Sequence, residues 1–392
     1  MRSRIFAALV ILLSSVFCAA QNTVKIGVIT SLTGSQAAFG EAHRNGYAIA
    51  LDQINAKGGV LGKKIELDFY DDQSKPDQAV QGVSKLVDQD HVPVLLGAYS
   101  SENTKAIINP VIQHQVPLLI PTATADNVMD SKSPWIFRIC AGANDYAKKT
   151  IEFLEHNGAP KTMAIVYEKT NFGQSNMQAM KEAATKAGIK LVAVEQYEAK
   201  SPDYRAVLRR VKAANPDVIY FCSYLLDATT LMRQSQEVDL NPKYYTSSGT
   251  GFAAAEFSTP KGAGKYAEYT FSVSQWLPEA PWPGSKEFDA EYFNRFGSHP
   301  AYHAVQAYES LLVVTQAINS AKSLEPAKIR DAIRNTNLKT STFGPVKFDS
   351  NGQNQHVVLI TQVQGGKYRV VYPPDVADAK PIIPAPKWSE RK

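Results

Sequence analysis

Ser100, Ser101, Asn103 and Thr104 place three hydroxyls and an amide just beyond the apolar run Val94-Leu95-Leu96 and Gly97. The run predicts a buried parallel strand. The glycine permits a sharp backbone turn, and the pattern from Ala106 to Val111 predicts a helix. Such a junction suits an anion. The first N–H groups of a helix have no intrahelical partner, and the dipole is positive at that end. Capping of the helix by Ser101 or Asn103 is the competing use of the same residues. A second junction favours binding: Val116 to Pro121 predicts another strand, and Thr122-Ala123-Thr124 lies directly beyond it. Adjacent carboxyl ends of strands are where open α/β sheets hold small ligands. Two hydroxyl-bearing strand ends side by side point to a carboxylate or a similar small polar group.

Catalysis is not indicated. The chain has no Gly-x-Ser-x-Gly elbow, phosphate loop or metal motif, and Ser101 has no evident histidine to activate it. The seven histidines are scattered, so neither a metal nor a cofactor is expected, and the protein is read as a binder and not an enzyme. The formal net charge is +5, but lysines and arginines are spread along helices instead of clustered in a stripe, which argues against nucleic acid.

The elements that must position these groups follow a regular rhythm. Arg2 and Arg4, the apolar run Ile5 to Leu13, and the small residues Cys18, Ala19 and Ala20 have the order of a secretory signal peptide, with cleavage expected after Ala20. Lipid anchoring at Cys18 is disfavoured by the bulky Phe17 before it. No later apolar stretch approaches the ~20 residues of a membrane span. Beyond the leader, only Cys140 and Cys222 remain, which permits one bridge without arguing for it. One run of alternating strands and helices fills residues 22–140 and another 143–255, which predicts parallel sheets with helices on both faces. At 392 residues the chain suits two lobes. A connector rich in proline and tryptophan follows at Trp276 to Gly284. Helices are expected at 285–296 and 299–321, and last strands at 346–348 and 357–362. A proline-rich tail begins at Pro373.

With these segments in order, the chain resembles the type I periplasmic solute-binding proteins of branched-chain amino acid transporters, the Leu/Ile/Val-binding group. The signposts are Val24-Lys25-Ile26-Gly27, Leu32-Thr33-Gly34 with Phe39-Gly40, and Asp52-Gln53-Ile54-Asn55-Ala56-Lys57-Gly58-Gly59. Asp71-Asp72, Gly97 to Thr104, Pro121 to Thr124 and Phe172-Gly173 follow. The resemblance implies an α/β fold of two doubly wound parallel-sheet lobes joined by a multi-strand hinge. Its boundaries would be a signal peptide at 1–20, lobe one at 22–142 plus 275–349, lobe two at 143–274 plus 350–376, and a mobile tail at 377–392. It also implies a monomer in the periplasm, closing around a small solute and recognised by the permease subunits of an inner-membrane ABC transporter.

Carried over by position, Ser101 would give its hydroxyl to a ligand carboxylate, Ala123 its backbone groups, and Thr124 both. Phe39 would wall the side-chain pocket, with Phe172 and Tyr224 closing from lobe two. Tyr99 adds to an aromatic supply that suits a hydrophobic or aromatic acid. The sequence departs from the family at Gly249, which aligns with the acidic residue that holds the ammonium of an amino-acid ligand. A buried ammonium without a countercharge costs several kcal/mol. Either Asp227, Glu168 or Glu41 replaces that acid, or the ligand has no ammonium. The first expectation is therefore the solute-binding component of an ABC importer for a small branched-chain or other hydrophobic amino acid. The alternatives are a hydrophobic or aromatic carboxylic acid lacking the ammonium group, or a ligand sensor for a membrane signalling partner.

Overall fold

The computed structural model describes residues 23–391; the expected signal peptide lies outside the described residues. The first sheet comprises β1 (Thr23–Thr30), β2 (Lys64–Asp71), β3 (Leu95–Leu96), β4 (Leu118–Ile120) and β5 (Ile136–Arg138), in the order β2-β1-β3-β4-β5. Every neighbouring pair is parallel. Because the central strands of a parallel sheet are covered on both faces, β3 and β4 read as continuous apolar runs, whereas the edge strand β2 alternates. Ile26 and Val28 pack into one core, Ile29, Leu95 and Leu118 into the other. The helices α1 (Ala37–Ala56), α2 (Pro76–Ser84) and α3 (Ser101–His114) connect these strands.

The second sheet repeats the design. After α4 (Ala143–His156) come β6 (Thr162–Glu168), β7 (Lys190–Tyr197), β8 (Val218–Cys222) and β9 (Tyr244–Ser247), ordered β7-β6-β8-β9 and all parallel. The connecting helices are α5 (Asn171–Lys186), α6 (Arg205–Ala214) and α7 (Leu225–Glu237). Together the sheets form the two-lobed α/β fold expected.

The last third serves both halves. β10 (Phe271–Ser274) follows the second sheet. Then α8 (Ser285–Phe296), α9 (Tyr302–Ala321), α10 (Pro326–Arg334), β11 (Asn337–Leu338) and β12 (Val346–Lys347) return to the first. Leu311, Val314 and Ile318 of α9 share a core with Val24 and Ile26 of β1. The chain ends on the second half with β13 (Leu359–Gln364) and β14 (Lys367–Tyr372), antiparallel to each other, with β13 also antiparallel to β10. β14 has no counterpart in the sequence reading. Cys140 and Cys222 are buried and unbridged.

Segment 377–392, read from the sequence as a mobile tail, packs against the second half as far as residue 391. The Ala385 N–H donates to the Lys243 carbonyl at 2.9 Å. Trp388 donates from Nε1 to the Leu240 carbonyl at 2.6 Å, and the Arg391 guanidinium lies 3.6 Å above the Trp388 ring. Proline removes N–H donors but leaves the chain extended, and here burial of Ala385 and Trp388 against Tyr245 offsets the ordering cost. No helix among the described residues is long and apolar enough to cross a membrane.

Candidate functional site

β3 stops where the backbone must turn. Gly97 has φ +132°, and a Cβ there would stand 2.2 Å from the Ile29 carbonyl oxygen, so only glycine fits. Ser100, and neither Ser101 nor Asn103, then caps α3: its Oγ accepts from the Asn103 N–H at 3.1 Å. Ser101 is thereby released from capping. Its Oγ accepts from the Ala125 N–H at 3.1 Å, which leaves its own O–H to donate elsewhere.

The second strand end is held in place from below. Arg138, at the end of β5 with a side chain 4% exposed, donates from Nη1 to the Ala123 and Ala125 carbonyls at 3.2 and 3.0 Å. Thr122 Oγ1 donates to the Tyr99 carbonyl at 3.0 Å and ties the two strand ends together. Thr124 is buried, and its Oγ1 has no hydrogen-bond partner among the described residues. Sequence reasoning missed Arg138; the signal was a lone arginine inside the apolar strand Ile136-Phe137-Arg138.

The aromatic residues named from the sequence converge. Phe39 stacks on Tyr99, with ring centroids 4.7 Å apart. Tyr224, the N-cap residue of α7, lies 6.1 Å from Phe39, 6.2 Å from Tyr99 and 5.0 Å from Phe172. Phe39 and Tyr99 belong to the first half of the fold, Tyr224 and Phe172 to the second, so the rings form one cluster across the junction. Asn171 donates from Nδ2 to the Ser101 carbonyl at 3.4 Å, and the Asp126 N–H to Ser175 Oγ at 3.0 Å. A cleft of about 1150 Å³ opens beside Phe39, with Leu225, Trp276 and Tyr302 on its wall. Ser101, Ala123 and Thr124 lie off that wall.

Gly249 is placed apart from a ligand-facing role for any side chain. Its φ is +75°, and a Cβ would meet the Val273 carbonyl oxygen at 2.8 Å and the Tyr302 hydroxyl at 3.3 Å. An acidic residue therefore has no room at this position. Tyr302 is buried and accepts from the Thr250 N–H through its hydroxyl at 3.0 Å.

The candidate replacement acids are committed elsewhere or exposed. Asp227 accepts from the Lys200 N–H at 3.0 and 3.1 Å through its two oxygens. Glu168 is fully buried, accepting from Thr170 Oγ1 at 2.8 Å and the Tyr224 N–H at 3.1 Å. Burial pushes its carboxyl up to about 8, so it is largely uncharged at neutral pH. Glu41 is exposed on the rim of the cleft.

Two histidines that sequence reasoning left scattered pack on the same aromatic ring, that of Tyr99. His43 of α1 and His303 of α9 lie 5.5 and 5.7 Å from the Tyr99 ring, and His303 lies 4.9 Å from Phe39. Burial holds both below the usual histidine range, His43 at about 3.

Comparisons with known proteins bear on the family and the fold. The family model for periplasmic binding proteins matches residues 23–367. The leucine-, isoleucine-, valine-, threonine- and alanine-binding protein of Pseudomonas aeruginosa is 28% identical, covering 89% of this chain and 92% of its own length. A leucine-binding protein of Thermotoga maritima superposes with a TM-score of 0.83 at 24% identity, over 90% of this chain and 99% of its own. A solute-binding protein of an ABC transporter from Rhodopseudomonas palustris BisB5, solved with 3,4-dihydroxybenzoic acid, gives a TM-score of 0.80 at 23% identity, over 88% of this chain and 95% of its own. At these identities the two structures show likeness of fold alone.

Proposed function

The chain belongs to the periplasmic binding protein family, and we propose that it binds a small hydrophobic or aromatic carboxylic acid lacking an ammonium group between its two lobes. The observation that carries this reading is the pair of hydroxyls at the strand ends. Among the described residues, Ser101 has a free O–H to donate and Thr124 Oγ1 is buried without a partner. A buried hydroxyl left unpaired costs about 1–3 kcal/mol, which a ligand carboxylate relieves. Phe39, Tyr99, Phe172 and Tyr224 supply the apolar enclosure, and Ala123 a backbone contact.

The missing ammonium partner separates this ligand class from amino acids. Gly249 has no space for an acid, Asp227 is engaged, Glu168 is largely protonated, and Glu41 faces solvent. The named ligands of the relatives span both classes. The Pseudomonas aeruginosa protein is named for amino acids, and the Rhodopseudomonas palustris structure holds an aromatic acid.

In this reading the acid docks on lobe one and lobe two closes over it, raising the closed population by its differential affinity for the two states. The proposed lobes are 22–142 plus 275–349 and 143–274 plus 350–376. Support comes from the cores, which change hands between Ile139 and Ala141, between Val273 and Trp276, and between Phe348 and Val358. Delivery would be to the permease of an inner-membrane ABC transporter, after export by the leader at 1–20, with the protein acting as a monomer.

A thermal-shift screen of the mature protein tests the ligand class, since a tight ligand raises Tm by mass action. Benzoate, phenylacetate and isocaproate should raise it, and phenylalanine and leucine should not. A rise with the amino acids alone would overturn the reading.

A further inference from the structure

The proposed carboxylate contacts account for one end of the ligand and leave a second set of buried polar atoms unexplained. His43 Nε2 and His303 Nδ1 are each buried without a hydrogen-bond partner among the described residues. Both residues are at most 2% exposed. His43 comes from α1 and His303 from α9, and the two rings lean on the same Tyr99 ring from different elements. The other nitrogen of His43 is engaged, with Nδ1 3.1 Å from Thr30 Oγ1. Behind His43, the Tyr47 hydroxyl is also buried and unpartnered.

An apolar ligand tail would be served by apolar residues here. Aliphatic side chains in place of two imidazoles would avoid the cost of burying ring nitrogens unpaired. We propose that this histidine pair is the subsite for the distal end of the ligand, and that this end carries a hydroxyl which hydrogen-bonds to His43 and His303. The inference rests on the carboxylic-acid reading above and narrows it to hydroxylated acids, with a phenol as the class that best suits the aromatic walls.

The chemistry selects a hydroxyl over other groups. A neutral imidazole presents one donor and one acceptor, and a hydroxyl is both. Burial disfavours protonation of both rings, and for His303 the nearby His43 adds to that effect. A second carboxylate at the distal end would need a charged imidazolium, and an ammonium would need acceptors only. Both fit worse than a hydroxyl.

Calorimetry on the mature protein tests this with two matched pairs: benzoate against para-hydroxybenzoate, and phenylacetate against para-hydroxyphenylacetate. A site built to bond a hydroxyl discriminates strongly against the analogue lacking it, so the hydroxylated member of at least one pair should bind at least about tenfold tighter. His303→Phe keeps a ring on Tyr302 and should collapse that ratio towards unity. His303→Asn, which restores a polar atom near the position of Nδ1, should recover part of it. Measurable binding with no preference in either pair overturns the histidine subsite and leaves the carboxylic-acid reading standing. So does a ratio that His303→Phe leaves intact. Binding of leucine or phenylalanine with none of the four acids overturns both.

Discussion

The backbone N–H of Thr250 donates to the hydroxyl of Tyr302 at 3.0 Å, joining the loop after β9 to the first turn of α9 across the junction between the lobes. Both residues are buried, so the bond is shielded from water. Tyr302→Phe would strand a buried N–H, at a cost of about 1–3 kcal/mol to the arrangement that contains it. Because the bond joins the lobes, the loss should fall on ligand affinity, roughly five- to a hundredfold in Kd by calorimetry. An unchanged Kd would show that the contact plays no part in closure.

Ser101→Ala and Thr124→Val remove the two hydroxyls assigned to the carboxylate. Each should weaken binding by about 1–3 kcal/mol. Ser101→Ala should also lower Tm slightly, because the Ala125 N–H loses its acceptor. Thr124→Val loses no bond among the described residues, where Oγ1 has no partner. Its stability should therefore hold or rise while affinity falls. A drop in both for Thr124→Val would mean that the hydroxyl is structural.

Gly249→Glu places an acid where the family resemblance expects one. The positive φ and the 2.8 Å approach to the Val273 carbonyl oxygen make the change strained here. It should cost on the order of 1–3 kcal/mol, visible as a lower Tm, without conferring leucine binding. A stable variant that binds leucine would refute the steric argument.

Glu168 makes stability depend on pH in a definite direction. Its carboxyl titrates at about 8 in the fold against an ordinary 4.5. Between those values the folded state keeps a proton that the unfolded chain has lost. Its contribution is thus fully present below about 4.5 and gone above about 8. Glu168→Gln lacks this titration and keeps an acceptor for the Tyr224 N–H. In urea unfolding, the wild type should lose on the order of 5 kcal/mol relative to the variant as pH rises through that window. Parallel stability curves would show that the carboxyl is not perturbed.

Much of this protein is legible in its sequence. The central parallel strands are short apolar runs because both of their faces are buried, and that pattern is local. The hydroxyls at Ser101 and Thr124 follow those runs directly, so the strand-end junctions were readable as well. Local signals could not say that Ser100 would take the helix cap and release Ser101, since neighbouring serines are equivalent until the turn at Gly97 orients them. Nor could they show that Arg138 lies beneath the second junction, that the proline-rich tail docks through Trp388, or that His43 and His303 meet at Tyr99. Those relationships join residues remote in the chain, and periodicity records only which face of an element is buried. What that face is buried against is decided by how the sheets and helices pack.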